Sequence, residues 1–125
     1  MTPNIPPQGR EGIPLSLAQD ADTDVFQSLS RPGLYRLVVR GDAMMDAGIY
    51  AGDVVVIRPL RQARSGQIVV AMIDGEQPTL RRFYAHPDGI TLAAENLAYA
   101  PQHYAPERVE IQGVLHSVHR FYRWQ

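Results

Sequence analysis

The sequence contains no cysteine and no lysine, since all of its 12 basic residues are arginine. Without cysteine the chain can form no disulfide, no thiolate nucleophile and no cysteine-ligated zinc site, which suits a reducing cytoplasm. Without lysine it has no side-chain amine that burial could convert into a general base. Two classes of reactive side chain are therefore excluded before any motif is considered.

The chain also lacks an excess of charge and a long apolar segment. Its 12 basic and 13 acidic residues give a net charge of −1, which argues against direct nucleic-acid binding by the surface as a whole. The longest apolar run, Ile68 to Ile73, is far too short to span a membrane. Residues 1–7 have neither the basic start nor the apolar core of a signal peptide. We therefore predict a cytoplasmic protein with no membrane contact.

Proline, glycine, serine and aspartate concentrate in residues 1–33, which show no sustained period of 2 or 3.6. We predict that residues 1–33 form an extended N-terminal arm and that residues 34–125 form one β domain. A chain of 125 residues is long enough to bury a core without disulfides.

Short β-rich segments separated by turn residues fill the predicted domain. Strands are predicted at Leu34–Arg40, Val54–Ile57, Gln67–Ile73, Thr79–Tyr84 and Ile90–Leu92, with one or two more between Glu107 and Tyr122. Asp74–Glu76 supplies a hairpin turn, and Gly113 marks a bulge. Ala43–Ile49 has room for one helical turn, closed by Gly48 or Gly52. The pattern indicates a mostly-β fold class.

The most informative segment, residues 41–53, reads G-D-A-M-M-D-A-G-I-Y-A-G-D. It resembles the nucleophile region of the LexA/UmuD family, the S24 Ser-Lys self-cleaving peptidases, whose pattern is Gly-x-Ser-Met-x-Asp-x-Gly-Ile-x-x-Gly-Asp. Further segments match the family in the same order, at residues 65–71, 74–76, 79–83, 92–101 and 109–114. The resemblance covers roughly residues 5–121. It implies the twisted β fold of the family's C-terminal domain, preceded by an extended arm.

The three reactive positions of the family are all altered in this sequence. Ala43 stands at the nucleophile position, and a methyl group cannot attack a carbonyl. Arg81 stands at the position of the general-base lysine, and a guanidinium stays protonated. Glu11-Gly12 stands at the scissile bond, where the family has a small residue before the glycine. The resemblance therefore implies a pseudo-peptidase that has lost cleavage, and it implies no cofactor.

The four histidines do not suggest a metal site. His116 and His119 are three residues apart, so a strand would place them on opposite faces. His86 and His103 fall in loop-like segments. We predict no metal site.

The altered positions suggest a contact between the arm and the inactive cleft. Arg81 is expected beside Met44 in the place where the family buries a neutral lysine, and a permanent charge there needs an acidic partner. Glu11 would reach the cleft if the arm folds inward, and Asp42 is the nearer competitor in sequence. We predict that Glu11 and Arg81 form an ion pair that latches the arm over the cleft.

The end of the chain suggests a subunit interface. The segment Val109–Tyr122 carries apolar residues on both faces and runs into aromatic residues, which is typical of an exposed edge at a two-fold interface. The predicted interface residues are Val114, His116, Val118 and Phe121, and the predicted assembly is a homodimer.

The resemblance implies a role in the DNA-damage (SOS) response, such as that of an accessory subunit to an error-prone polymerase. Its implied partners are a Y-family DNA polymerase, the RecA filament or a related repressor. A short arm after Met1, with no pair of helical patterns before the core, is typical of UmuD-like members rather than of repressors. Two alternatives stay open: the dimerisation domain of a LexA- or phage-type repressor, and a Ser-Lys autopeptidase captured as a Ser-to-Ala mutant. The lack of lysine argues against the last of these.

Overall fold

The structure is a computed structural model, and it describes residues 15–17 and 33–122. Within these residues, eight strands form one antiparallel sheet. The strands are β1 Ser16–Leu17, β2 Tyr35–Val38, β3 Val54–Arg58, β4 Ile68–Ile73, β5 Thr79–His86, β6 Gly89–Ala93, β7 Gln102–Tyr104 and β8 Val109–His119, and 3₁₀ turns cover Met45–Ala47 and Pro106–Arg108. The predicted mostly-β fold class is confirmed.

Strand β8 lies in the middle of the sheet, whose order is β1-β2-β3-β8-β4-β5-β6-β7. It pairs with β3 on one side and with β4 on the other. The prediction that Val109–Tyr122 forms an exposed edge is therefore wrong for the strand itself. Its apolar residues on both faces reflect a position inside the sheet, where both faces are covered.

Apolar side chains cover both faces of the sheet. Successive residues of β4 belong to different buried clusters, Val70 to the first and Val69 and Ala71 to the second. The first cluster consists of Leu37, Val39, Met44, Ile49, Val55, Ile57, Val70 and Leu80, and the second of Val69, Ala71, Phe83, Leu92, Ile111 and Val114. Burial on both faces explains why β3 and β4 read as continuous apolar runs rather than as alternating ones.

The predicted hairpin turn after β4 is confirmed. Asp74 and Gly75 have φ values of 54° and 74°, and the N–H of Glu76 donates to the carbonyl of Ile73 at 3.0 Å. Asp-Gly is suited to this turn because glycine and aspartate tolerate positive φ better than most residues.

The predicted bulge near Gly113 is confirmed, and β8 contains a second one. Val70 faces Gly113 and Ala71 faces Ile111, so Gln112 is the extra residue between them. The pairing of β8 with β3 shifts by one residue in the same way at His116. One bulge thus lies opposite β4 and the other opposite β3, and each increases the local twist of β8.

Sequence patterns missed β7, which pairs only with β6 among the described residues. Within the predicted arm, Ser16–Leu17 adds strand β1 to the opposite edge by pairing with β2. No helix in the ranges 15–17 and 33–122 has both the length and the apolar character to cross a bilayer.

Candidate functional site

The turn between β2 and β3 carries the altered nucleophile position. Gly41 has a φ of 79°, and the 3₁₀ turn Met45–Ala47 ends at Gly48, whose φ of 80° is left-handed. A residue with a Cβ adopts this conformation at a cost, which explains glycine at both places. Ala43 and Met44 are buried between them, with 6% and 2% of their surface exposed. The predicted helical turn is thus present and is closed by Gly48.

The loop after β6 packs against this turn through main-chain hydrogen bonds. The N–H of Glu95 donates to the carbonyl of Ala43 at 2.8 Å, and the N–H of Asp46 donates to the carbonyl of Glu95 at 2.7 Å. These two bonds hold Glu95 against the turn as a strand partner would. The backbone around Ala43 is therefore held both by the loop at Glu95 and by the conformations of Gly41 and Gly48.

Asp42 is held by the same loop. Asn96 donates from Nδ2 to the carbonyl of Asp42 at 2.8 Å, and the hydroxyl of Tyr99 donates to Oδ1 of Asp42 at 2.7 Å. Asn96 also accepts from the N–H of Ala98 at 2.9 Å, which orders the loop itself. The Asp42 carboxylate is thus used as an acceptor within the site.

Strand β5 packs against this neighbourhood through the residues on either side of the altered base position. Arg81 is buried, with 8% of its surface exposed, and its Nη1 donates to the carbonyl of Leu80 at 2.7 Å. Arg82 donates from Nε to Oε2 of Glu95 at 3.1 Å and from Nη1 to the carbonyl of Gly66 at 2.8 Å. Because Glu95 also holds the turn, one residue connects β5 to the backbone of Ala43.

The apolar side chains support the same placement. Met44, which follows Ala43, and Leu80, which precedes Arg81, belong to one buried cluster. The structure thus brings Asp42, Ala43 and Met44 together, and it packs Leu80 and Arg82, the neighbours of Arg81 on β5, against the same turn. Glu11 and Gly12 lie outside the described residues, so their pairing with the cleft stays a prediction.

The four residues predicted for a dimer interface differ in how much of each is exposed to solvent. Val114 is 5% exposed and belongs to the second buried cluster, and Val118 is half-buried against the first. His116 is exposed and accepts a long hydrogen bond, 3.4 Å, from Nε of Arg58. Phe121 has 37% of its surface exposed. A second subunit could therefore reach His116 and Phe121 far more readily than Val114.

Sequence reasoning missed an ion pair that ties the end of β8 to the same turn. Arg120 donates from Nε to Oδ1 and from Nη2 to Oδ2 of Asp53, both at 2.7 Å. Its Nη2 also donates to the carbonyl of Gly48 at 2.8 Å, and its guanidinium lies 4.6 Å from the ring centre of Tyr50. The partners are 67 residues apart, and the Gly-Asp motif alone gave no sign of them.

The Asp53 carboxyl is almost fully buried, with a side-chain exposure of 2%. Burial by itself raises the pKa of Asp53, but the hydrogen bonds from Arg120 and from the Tyr50 N–H, together with the Arg120 charge, bring that pKa below its usual value. The pKa of Arg120 is raised in turn, chiefly by its hydrogen bond to Asp53. The pair therefore stays ionised at neutral pH.

Asp53→Asn is expected to lower the free energy of unfolding at neutral pH by about 2 kcal/mol, because it removes the charge of a buried carboxylate that accepts hydrogen bonds from Arg120 and from the Tyr50 N–H. Since folding lowers the pKa of Asp53, the pairing stabilises the fold above the usual aspartate pKa and is lost as pH falls through the folded value. Urea unfolding of both proteins from about pH 7 down to about pH 3 should show the difference shrinking. Asp88→Asn, at an exposed turn, should match the wild type throughout. A difference for Asp53→Asn that stays constant with pH would contradict this assignment.

An open groove lies elsewhere on the described part of the chain. It has a volume of about 650 Å³, and its lining includes Phe83, Ile90 and Ile111 together with Arg61 and Glu110, which pair at 2.9 Å. Phe83 and Ile111 belong to the second cluster, whereas the turn at Ala43 packs with the first. This groove is therefore separate from the site around Ala43.

Comparison with known protein families identifies the family of the chain. The Peptidase S24-like family model matches residues 10–116, which is most of the chain. The chain therefore belongs to the Peptidase S24-like family. This membership is consistent with the LexA/UmuD-like resemblance of its motifs and of its β fold.

Proposed function

We propose that this protein is a catalytically inactive member of the S24-like family that acts by binding other proteins in the cytoplasm. The observation that carries the proposal is the residue at the nucleophile position: Ala43 sits buried in a turn whose surrounding glycines and aspartates match the family. The frame of the catalytic turn is retained, whereas the atom that would attack a peptide bond is absent.

The base position supports the same conclusion. Self-cleavage of this kind needs a group that takes the proton from the nucleophile, and Arg81 keeps its own proton at every physiological pH. No lysine is present anywhere in the 125 residues to replace it. Nucleophile and base are thus both missing. A single engineered Ser-to-Ala change would explain Ala43 but would not explain Arg81.

The retained frame suggests a retained binding role. The loop at Glu95 and Asn96 and the turn at Ala43 are joined by four hydrogen bonds of 2.7–2.8 Å, counting the one from Tyr99. Such order around an inactive position is consistent with a surface kept for recognition. We propose that the protein works in the DNA-damage (SOS) response, with a Y-family polymerase, the RecA filament or a related repressor as its partner.

Self-cleavage tests the inactive state directly. We expect the purified chain to stay intact at alkaline pH and in the presence of RecA filament, because it has neither nucleophile nor base. Intact-mass spectrometry before and after incubation checks this, with an active S24 peptidase as the positive control. A product pair that corresponds to a break between Glu11 and Gly12 would overturn the proposal.

The proposed assembly is a homodimer that uses the aromatic residues after β8. Phe121 and Tyr122 have 37% and 85% of their surface exposed. Sedimentation equilibrium is expected to give twice the 14.0 kDa chain mass at micromolar protein. Phe121→Ser should weaken association by on the order of tenfold or more, because exposed aromatic residues supply much of an interface's binding energy.

Tyr84→Ser is the matched control for the dimer, since Tyr84 is also 37% exposed but lies on β5, away from the end of β8. It should leave the dimer unchanged. A monomer at high micromolar wild-type protein, or equal weakening by both variants, would count against this interface.

A further inference from the structure

Near the β7 edge of the sheet, the buried hydroxyl of Thr91 is hydrogen-bonded to two imidazole rings. Nε2 of His86 lies 2.9 Å from Oγ1 of Thr91, and Nδ1 of His103 lies 2.7 Å from the same oxygen. Thr91 is 6% exposed, whereas both histidines are exposed. The loop-like placement predicted for the histidines is wrong, since His86 ends β5 and His103 is the central residue of β7.

Strand register explains why the two rings converge. Thr91 on β6 is the direct partner of His103 on β7, so their side chains share a face. His86 on β5 faces Gly89, which has no side chain. Because Gly89 leaves space beside His86, the His86 ring can extend diagonally over Gly89 to Thr91, two residues further along β6. Gly89 is itself required there, because an added Cβ would lie 2.7 Å from the carbonyl oxygen of Tyr104.

The hydrogen bonding leaves both rings able to accept a metal ion. Thr91 has one hydroxyl proton to share between two ring nitrogens. The other nitrogens, Nδ1 of His86 and Nε2 of His103, have no hydrogen-bond partner within the part of the chain that the structure describes. These two nitrogens can therefore carry the ring protons, while the nitrogens that face Thr91 bind an ion once their hydrogen bonds to Thr91 are broken.

We propose that His86 and His103 form a chelating site for a borderline divalent transition-metal ion, the class of Zn²⁺, Ni²⁺ and Cu²⁺. Neutral imidazole suits these ions, whereas Mg²⁺ and Ca²⁺ prefer oxygen ligands. Nε2 of His86 and Nδ1 of His103 already converge on one oxygen, and an ion that takes the place of the Thr91 hydroxyl would bind both at about 2.0–2.1 Å. No group of three or more His, Cys, Asp or Glu suited to a metal occurs among residues 15–17 and 33–122, so water completes the coordination.

The site would join β5 to β7 across β6. Strand β7 has three residues and pairs only with β6 in the described sheet, so it is the weakly held end of the sheet opposite β1. An ion bound by one ligand from β5 and one from β7 would hold that strand in place. Thr91 acts here as a positioning residue before the ion binds, since its hydroxyl then holds both rings on one face.

Calorimetric titration of the untagged protein with Zn²⁺ tests the site. We expect one ion per chain, and His86→Ala or His103→Ala should each weaken binding on the order of tenfold or more, because a single imidazole loses the chelate advantage. His116→Ala is the matched control, as His116 is exposed on β8 and contacts Arg58 instead. It should leave the affinity unchanged. Absence of binding, or equal affinity in all four proteins, would overturn the proposal.

Nuclear magnetic resonance of the unaltered chain gives a readout that does not depend on the variants folding. Histidine ring ¹⁵N signals are followed as Zn²⁺ is added. We expect the largest changes at His86 and His103, with His116 and His119 nearly constant. Changes confined to His116 and His119 would overturn the proposal. Addition of Mg²⁺ in the same experiment should leave all four rings unchanged.

Discussion

Gly113→Ala is expected to destabilise the protein by about 3 kcal/mol or more. A Cβ at this position would collide with Cγ2 of Ile57 and would lie 2.5 Å from the carbonyl oxygen of Arg58. Ile57 is fully buried, and the Arg58 oxygen belongs to the backbone of β3, so neither atom can move aside without shifting β3 against β8. Urea unfolding at neutral pH measures the loss.

Gln112→Val provides the control for this change. It adds a β-branched side chain to the adjacent residue of the same strand, at a half-buried position. The Gln112 carbonyl, which accepts from the Tyr35 hydroxyl at 3.1 Å, is kept. We expect its unfolding free energy to differ little from that of the wild type. An equally small effect of Gly113→Ala would show that β3 and β8 are not packed as closely as described.

Ala43→Ser combined with Arg81→Lys and Glu11→Ala is expected to recover slow self-cleavage between residues 11 and 12. The serine supplies the nucleophile, and the small residue at position 11 restores the family's cleavage pattern. Burial at position 81 favours a neutral lysine, which can then act as the base. A correctly placed base should raise the rate on the order of 100-fold over Ala43→Ser alone. Intact-mass spectrometry during alkaline incubation follows the reaction.

The neighbouring arginine offers a sharp control for the restored base. Arg82→Lys in place of Arg81→Lys adds the same amine one residue away, beside Glu95, whose carboxylate would keep that amine protonated and unable to act as a base. That variant should remain as intact as Ala43→Ser alone. Cleavage with lysine at position 82, or at neither position, would show that Arg81 does not occupy the base position.

The strands and turns were predictable because their signals are local. Asp74-Gly75 indicated its own hairpin, and the glycines at 41 and 48 indicated the turn at Ala43. These residue types tolerate the positive φ values that the backbone adopts at their own positions. The short strand Gln102–Tyr104 was missed because it has no apolar alternation. Its main-chain pairing with β6 makes it a strand.

Features that depend on residues far apart in sequence could not be predicted from local patterns. The central place of β8 depends on pairing between strands far apart in sequence, and apolar residues on both faces suit an interface as well as an interior strand. Glu95 holds the turn at Ala43 through its main chain, which any residue except proline could supply. The pairing of Asp53 with Arg120 spans 67 residues and left no local pattern.

The position of β8 also governs the order in which this fold can assemble. Strands β2 and β3 form one local unit and β4 to β7 form another, and the described sheet joins them only through the strand that comes last in sequence. During synthesis the two halves must wait, with their inner edges unpaired, until residues 109–119 have left the ribosome. Open edges of this kind invite pairing with other chains, and contacts between distant segments form slowly. Nascent chains halted before residue 109 should therefore depend on chaperones far more than chains that include residues 109–119 do.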